Sequence, residues 1–154
     1  MELILWRHAD AEDPGPQGDL PRELTKKGHK QAAAMAEWLR PRLEGEWRVF
    51  ASPAARAVQT VTPLGRDYEI RPNLDPTHVS GHYIRESGWP TGPNTILVGH
   101  QPTIGEVVAR LVQDQAGDVA VKKGAIWWFA TRDRDGRVET VVKAVMEPGM
   151  LIGD

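Results

Sequence analysis

The stretch LILWRH, residues 3–8, begins with four consecutive apolar residues and ends on an arginine and a histidine. An unbroken apolar run of this length is typical of a β-strand buried on both faces, as in a parallel sheet with helices on either side. A similar run recurs in NTILVGH, residues 94–100, and a shorter one in WRVFAS, residues 47–52. We therefore predict that these three segments are strands of one mostly parallel sheet.

The segments between these strands have the pattern of helices. Thr25 is placed to cap a helix over residues 26–40, in which apolar residues recur at helical spacing. Ser52 and Pro53 are typical of the cap and first residue of a second helix. A third helix is predicted over residues 102–115, where a proline again stands first.

The rest of the chain adds two weaker strand signals. YEIRP, residues 68–72, predicts a short strand, and residues 124–145 predict an antiparallel hairpin with its turn at Asp135-Gly136. Alternating strands and helices predict an α/β fold. We expect a three-layer α/β/α sandwich with a mostly parallel central sheet and a C-terminal antiparallel hairpin, formed as a single domain by residues 1–154.

Composition excludes several classes of function. A formal net charge of −2 and a pI near 6.2 give no electrostatic signature for binding nucleic acid or an anionic membrane. The absence of cysteine excludes disulfides, thiolate chemistry and cysteine-based zinc sites. The apolar run at residues 3–6 is too short for a signal sequence or a membrane span. We expect a cytoplasmic protein.

The predicted strands end on residues that suit an anion site. In sheets of this kind, ligands bind beyond the carboxyl ends of the strands, where Arg7, His8, Arg56 and His100 are expected to meet. Arginine forks match the tetrahedral oxygens of a phosphoryl group, and the N-termini of the helices beginning near Pro53 and Pro102 add N–H donors.

These residue types indicate phosphoryl transfer. A site without a metal must supply positive charge from its own side chains, here Arg7, Arg56 and a protonated His100. A second histidine beside those cations is held neutral, and a neutral imidazole is a competent nucleophile toward phosphorus. His8 is the candidate.

Four blocks of the sequence resemble those of a known family. They are LILWRHADAE (3–12), LTKKGHKQA (24–32), FASPAARAVQT (50–60) and ILVGHQPTIGEVV (96–108). They are similar to the signature blocks of the histidine phosphatase superfamily, in particular its short bacterial phosphohistidine phosphatase (SixA-type) branch. The resemblance implies that His8 is the phosphorylated nucleophile and that Arg7, Arg56 and His100 form the phosphate pocket.

Two departures from the family pattern matter. The usual Arg-His-Gly reads Arg7-His8-Ala9 here, a change that is tolerable if residue 9 has a negative φ. Only 43 residues separate Arg56 from His100. They are rich in proline and glycine, so we expect mostly loop and no helical lid subdomain. The family's general acid has no unambiguous match, and Asp75 is the residue that stands in its place.

The resemblance implies a phosphatase of protein-borne phosphohistidine, acting without metal or other cofactor on a partner such as a histidine-containing phosphotransfer domain. A monomer is expected, with no role for nucleic acid or membrane. Phosphatase action on small esters or other phosphoproteins is the alternative. Two other classes stay open: a metal-dependent hydrolase with His8, Asp10 and His100 as ligands, and a phosphate-binding module without turnover.

Several residues near these blocks have simpler interpretations. Asp10 is interpreted as a surface or supporting carboxylate, and Asp19 is expected to pair with Arg22. His78 and His82 are interpreted as loop residues at the rim of the pocket. Their spacing would suit a metal only in a helix, which the neighbouring proline and glycine argue against.

Overall fold

The computed structural model describes residues 1–113 and 115–153 of the chain. Ten helices and strands follow one another in these residues, apart from short 3₁₀ turns. They are β1 (Glu2–Arg7), α1 (Lys26–Leu39), β2 (Arg48–Ala51), α2 (Ala55–Val61), β3 (Glu69–Ile70), α3 (Ser80–Ser87), β4 (Thr95–Gly99), α4 (Thr103–Gln113), β5 (Ile126–Arg134) and β6 (Arg137–Met146).

The strands form one six-stranded sheet in the order β3-β2-β4-β1-β5-β6. The first four of these are parallel, and β5 and β6 are antiparallel, as the sequence predicts. Asp135 and Gly136 both have positive φ at the β5-β6 turn, as a two-residue hairpin requires. Arg7 lies opposite Gly99 in the register of β1 and β4, which brings the ends of those strands together.

Apolar residues of the sheet point alternately into two cores. Ile4 and Trp6 of β1 pack with residues of α1 and α2 on one face. Leu3 and Leu5 pack with Tyr83 of α3 and with residues of α4 on the other. The predicted α/β/α sandwich is therefore confirmed. The predicted helix cap is also confirmed, because Thr25 Oγ1 accepts the Gly28 N–H at 3.0 Å.

The start of α2 differs from the prediction. Ser52 does not cap a helix that begins at Pro53: its N–H still pairs with the sheet, donating to Val98 O at 3.0 Å, and its hydroxyl contacts Ala54 N and His100. The helix begins only at Ala55, after Ala54 as the capping residue. Ser52 thus still pairs with β4 one residue beyond the end of β2, and its hydroxyl is directed into the site described below.

The segment between Arg56 and His100 is more ordered than predicted. It contains α3, which the sequence analysis missed and which packs into the second core through the fully buried Tyr83. Burial of this ring outweighs the poor helix propensity of Gly81. Gly88 ends the helix with a left-handed φ of 73°. His82 therefore lies on a helix, and its interpretation as a loop residue is wrong.

Two predictions reach past the described residues. The predicted helix over residues 102–115 is found as Thr103–Gln113, and Asp114 lies outside the description, as does Asp154 at the end of the predicted domain. Within residues 1–113 and 115–153, no helix combines the length and the apolar character needed to cross a bilayer.

Candidate active site

His8 follows β1 directly and is held by main-chain and side-chain bonds. Its N–H donates to Gly99 O at 3.0 Å, so the strand pairing itself fixes its position. Its Nδ1 lies 2.7 Å from Ala9 O. A carbonyl only accepts hydrogen bonds, so Nδ1 carries the proton and Nε2 keeps its lone pair. The structure thus supplies an imidazole with a nucleophilic Nε2.

The residue after His8 is compatible with this arrangement. Ala9 is fully buried, and its N–H donates to Thr60 Oγ1 of α2 at 3.0 Å. Its φ is not positive, since Asp135 is the one non-glycine residue with positive φ in the described part of the chain. Alanine in place of the usual glycine therefore introduces no backbone strain.

His100 follows β4 in the same way. Its main-chain N–H donates to the Tyr83 hydroxyl at 3.2 Å, and its Nε2 lies 2.7 Å from Ser52 Oγ. Its Nδ1 lies 3.3 Å from NH2 of Arg56, which can only donate. Nδ1 of His100 is therefore the unprotonated nitrogen, and Nε2 donates to the serine.

Arg56 of α2 lies between the two histidines. Its side chain is only 4% exposed. Its Nε donates to His8 Nε2 at 3.4 Å, while its NH2 donates to His100 Nδ1. One guanidinium edge thus faces both imidazole lone pairs.

Both imidazoles are neutral at pH 7. Burial, followed by the charges of Arg56 and Arg7, lowers the pKa of His8 to about 4, although the bond to Ala9 O opposes this. Burial, His8 and Arg56 lower the pKa of His100 to about 3. The lowered pKa of His8 is consistent with the neutral His8 expected from the sequence. The imidazolium expected at His100 is disfavoured by these neighbours, because burial and Arg56 both act against its charged form.

Arg7 completes the cationic side of the site. Its NH1 donates to Val121 O at 2.7 Å, and burial lowers the pKa of its guanidinium. Its Nε is buried without a hydrogen-bond acceptor among residues 1–113 and 115–153. Buried N–H donors are nearly always paired, so this nitrogen is suited to an anionic oxygen.

Asp19 of the β1-α1 loop makes two contacts that the sequence analysis missed. The predicted pair of Asp19 and Arg22 is confirmed, with Oδ1 3.0 Å from NH1 of Arg22. In addition, Asp19 Oδ2 lies 3.0 Å from NH2 of Arg56, and its main-chain oxygen accepts from Arg56 NH1 at 3.1 Å. The local spacing signalled the first pair, but no sequence pattern links Asp19 to a residue 37 positions away.

Asp75 is held by its own loop, and its charge acts on His100, whose pKa it tends to raise. Its Oδ1 accepts from the N–H and hydroxyl of Thr77 and from Nδ1 of His78. Although burial acts to raise it, these bonds lower the pKa of Asp75 to about 2. Within the described part of the chain, it makes no hydrogen bond to His8 or His100. Its role as general acid stays a prediction.

The rings of the two other candidate histidines pack against each other. The rings of His78 and His82 are 4.8 Å apart in an edge-to-face arrangement. The main-chain oxygen of His78 accepts from the Thr103 hydroxyl at the start of α4. This contact places the pair beside the helix that follows His100, close to the predicted rim.

Asp10 does not join a metal-binding group. Its carboxylate accepts from the Thr25 hydroxyl at 2.7 Å and pairs with Lys123 at 3.0 Å, so it ties the loop to α1. Across the ranges 1–113 and 115–153, no group of three histidine, aspartate or glutamate side chains is arranged to hold a metal ion. The expected supporting role of Asp10 is consistent with these contacts.

Comparison with known proteins agrees with this geometry. A family model described as histidine phosphatase superfamily (branch 1) matches residues 3–79, half of the chain. An uncharacterised protein of Picosynechococcus is 32% identical over 141 residues, covering 82% of each chain. Phosphohistidine phosphatase SixA of Escherichia coli is 29% identical over 120 residues, covering 72% of this chain and 74% of that protein.

A solved structure extends the likeness to the whole fold. The structure of the protein histidine phosphatase SixA with tungstate has a TM-score of 0.79 and 27% identity, and the match covers 99% of this chain and 100% of that one. The resemblance seen in the four sequence blocks is therefore confirmed. The chain belongs to the histidine phosphatase superfamily and is of the SixA type.

Proposed function

We propose that this phosphatase-family chain hydrolyses phosphohistidine carried on a protein, through a covalent phosphohistidine intermediate at His8. The observation that carries the proposal is the Nε2 lone pair of His8, which is fixed by the Nδ1 bond to Ala9 O and lies 3.4 Å from Arg56 Nε. A neutral, oriented imidazole beside a buried cation is what attack on a phosphoryl group needs.

The reaction has two steps. In the first, His8 Nε2 donates its lone pair to phosphorus while the phosphorus–nitrogen bond to the substrate imidazole breaks. The leaving nitrogen keeps the bonding pair and takes up a proton. In the second step, water attacks the phosphoryl group on His8 and loses a proton, so that orthophosphate leaves and Nε2 regains its lone pair. Arg7 and Arg56 bind the phosphoryl oxygens in both steps.

The substrate class follows from the leaving group and from the relatives. The imidazole of phosphohistidine, once it is protonated, leaves phosphorus more readily than an alkoxide does. The reaction therefore makes little demand on a dedicated acid. This suits a site in which the carboxyl of Asp75 has a pKa of about 2. The likeness to SixA, named for phosphohistidine and protein histidine phosphatase activity, supports the same substrate class here.

A protein substrate also fits the shape of the chain. The match covers 99% of this chain and 100% of the SixA chain, so the described residues carry no large insertion relative to SixA that could cover the strand ends. A folded partner such as a histidine-containing phosphotransfer domain covers the pocket with its own surface, whereas a small ester gains few contacts there. We propose a monomeric enzyme that acts on such a partner without a metal ion.

The decisive experiment compares a phosphorylated histidine-containing phosphotransfer domain with a generic aryl phosphate. Enzyme quenched in alkali is expected to carry phosphate on His8 that is stable to alkali and labile to acid. His8→Ala should abolish turnover and still bind vanadate. Full activity of His8→Ala would overturn the mechanism. Efficient hydrolysis of a sugar phosphate, with none of any phosphohistidine protein, would overturn only the substrate class.

A chelator separates this proposal from the metal-dependent alternative. Turnover should be unchanged after incubation with EDTA, because the arginines supply the charge that a metal would supply. Activity lost in EDTA and restored by zinc would favour the metal-dependent hydrolase. A phosphate-binding module would bind vanadate and turn over neither substrate.

A further inference from the structure

We propose that Asp19 is a positioning residue, which holds the outer edge of the Arg56 guanidinium so that the inner edge faces the reacting phosphoryl group. The inference rests on the proposed function, because it concerns how that function's phosphate clamp is oriented. It assigns a role in the reaction to a residue for which the sequence analysis expected only a pair with Arg22.

The contacts of Arg56 divide between two edges of its planar fork. Nε and NH2 form the inner edge, which faces His8 Nε2 and His100 Nδ1. NH1 and NH2 form the outer edge, which donates to the main-chain oxygen and to Oδ2 of Asp19. The imidazole contacts are long, at 3.4 and 3.3 Å, and those to Asp19 are shorter, at 3.1 and 3.0 Å. The hydrogen bonds to Asp19 are therefore the shorter of the two sets that hold the Arg56 guanidinium.

Asp19 is itself fixed from two sides. Arg22 holds its second carboxylate oxygen, and Arg22 Nε donates to Glu12 O at 2.6 Å, which ties the pair to the start of the loop. Leu20 O accepts the N–H of Ala55, the residue just before Arg56. The loop and the first turn of α2 are therefore locked together, and a side chain that is 47% exposed orients one that is 4% exposed.

The local charges make a carboxylate compatible with an anion site. Although burial acts to raise it, the bonds from Arg22 and Arg56 lower the pKa of Asp19, so the residue is a carboxylate at neutral pH. Its charge opposes substrate binding, and it is outnumbered locally by Arg7, Arg22 and Arg56. Asp19 should therefore favour the transition state, through the orientation of Arg56, more than it favours binding of the ground state.

The test is the separate effect of Asp19→Asn on kcat and KM. Asparagine keeps the volume of the side chain and removes the charge that holds two arginines. We expect kcat to fall by about tenfold or more, as misplacement of a catalytic group does. We expect KM and orthophosphate affinity to be unchanged or improved, because a negative charge has been removed. Asp13→Asn is the matched control, since Asp13 is exposed in the same loop and enters none of the ion pairs found in the described residues.

A double-mutant cycle with Arg56→Ala identifies the route of the effect. If Asp19 acts through Arg56, Asp19→Asn should cause no further loss of kcat in the Arg56→Ala background. An equal loss in both backgrounds, or a kcat for Asp19→Asn equal to that of Asp13→Asn, would overturn the inference. Either result, combined with loss of turnover in His8→Ala, would leave the proposed function intact. Turnover retained in His8→Ala would refute that function instead.

Discussion

The imidazole rings of His8 and His100 lie with their centroids 5.2 Å apart and their planes inclined by 54°. Each ring directs its unprotonated nitrogen at the same guanidinium, and each uses its other nitrogen as a donor, to Ala9 O and to Ser52 Oγ. The two histidines therefore have opposite tautomers. These contacts determine the charge state of the two histidines, and that charge state can be tested through the pH dependence of activity.

The loss of kcat/KM at acidic pH should occur far below the ordinary pKa of histidine. His8 attacks only when neutral, and burial with the adjacent arginines lowers its pKa from 6.5 to about 4. Activity should thus persist as the pH falls through the ordinary histidine value and be lost near pH 4. The measurement is kcat/KM between about pH 3.5 and 8 on folded enzyme, with circular dichroism at each pH. An acid limb centred near pH 6.5 would contradict the assigned environment of His8.

Replacement of Arg56 tests the clamp. Arg56→Ala should cost about 3 kcal/mol of transition-state stabilisation, on the order of a hundredfold in kcat, because a preorganised donor to developing charge is lost. Arg56→Lys should not restore the rate, since the lysine ammonium is a single compact charge and cannot donate along two edges as the planar guanidinium does. Arg40→Lys serves as the control, because Arg40 is exposed and donates to Pro63 O. An unchanged kcat in Arg56→Ala would show that the residue is structural.

Asp75→Asn tests the predicted general acid. With its pKa at about 2, the Asp75 carboxyl is ionised at neutral pH and holds few protons to donate. We expect turnover of a phosphohistidine protein to fall only a few-fold, and hydrolysis of an alkyl phosphate to fall more, since the alkoxide needs a proton. Comparable losses of a hundredfold or more on both substrates would show that Asp75 acts as the acid despite its contacts.

Gly28→Ala tests the packing of α1 against the loop after β1. A Cβ at residue 28 would overlap the carbonyl group of Asp10, which is fixed backbone. We expect a loss of about 1–3 kcal/mol in the free energy of unfolding, as for other overpacked positions. Gly81→Ala is the control, because a Cβ there meets nothing within 4 Å and alanine favours helix α3. Equal stabilities of the two variants, measured by urea denaturation, would contradict the close approach of α1 to Asp10.

The parts of the site that lie at strand ends were predictable from sequence. Arg7, His8 and His100 follow apolar runs, and parallel strands place their carboxyl ends at one edge. Tertiary contacts decided the rest. Ser52 has the local pattern of a helix cap, and only the folded structure shows that the helix begins at Ala55 and that the Ser52 hydroxyl contacts His100. The charge of His100 could not be deduced from neighbouring cations alone, because burial is the largest cause of its lowered pKa.

The same limit explains the two larger omissions. Helix α3 has weak local propensity, and it forms because Tyr83 fills the core beside Leu97. Asp19 lies in an irregular loop, where no periodicity predicts direction, and its contact with Arg56 appears only once the loop is folded onto α2. Both depend on packing between segments distant in sequence.

The order of strands in the sheet divides the pocket into two regions of different local stability. β4 and β1, which carry His100 and His8, are the two central strands, while Asp19 belongs to a loop outside the sheet. Amide protons of central strands exchange with solvent only when the whole protein opens, whereas loops open locally at much lower free energy. Deuterium uptake should therefore be fast at residues 12–23 and slow at residues 3–7 and 95–99. Bound vanadate should then slow exchange mainly in the loop, because the strands that carry the two histidines are already stable without ligand, whereas the loop contacts that orient Arg56 gain stability from it.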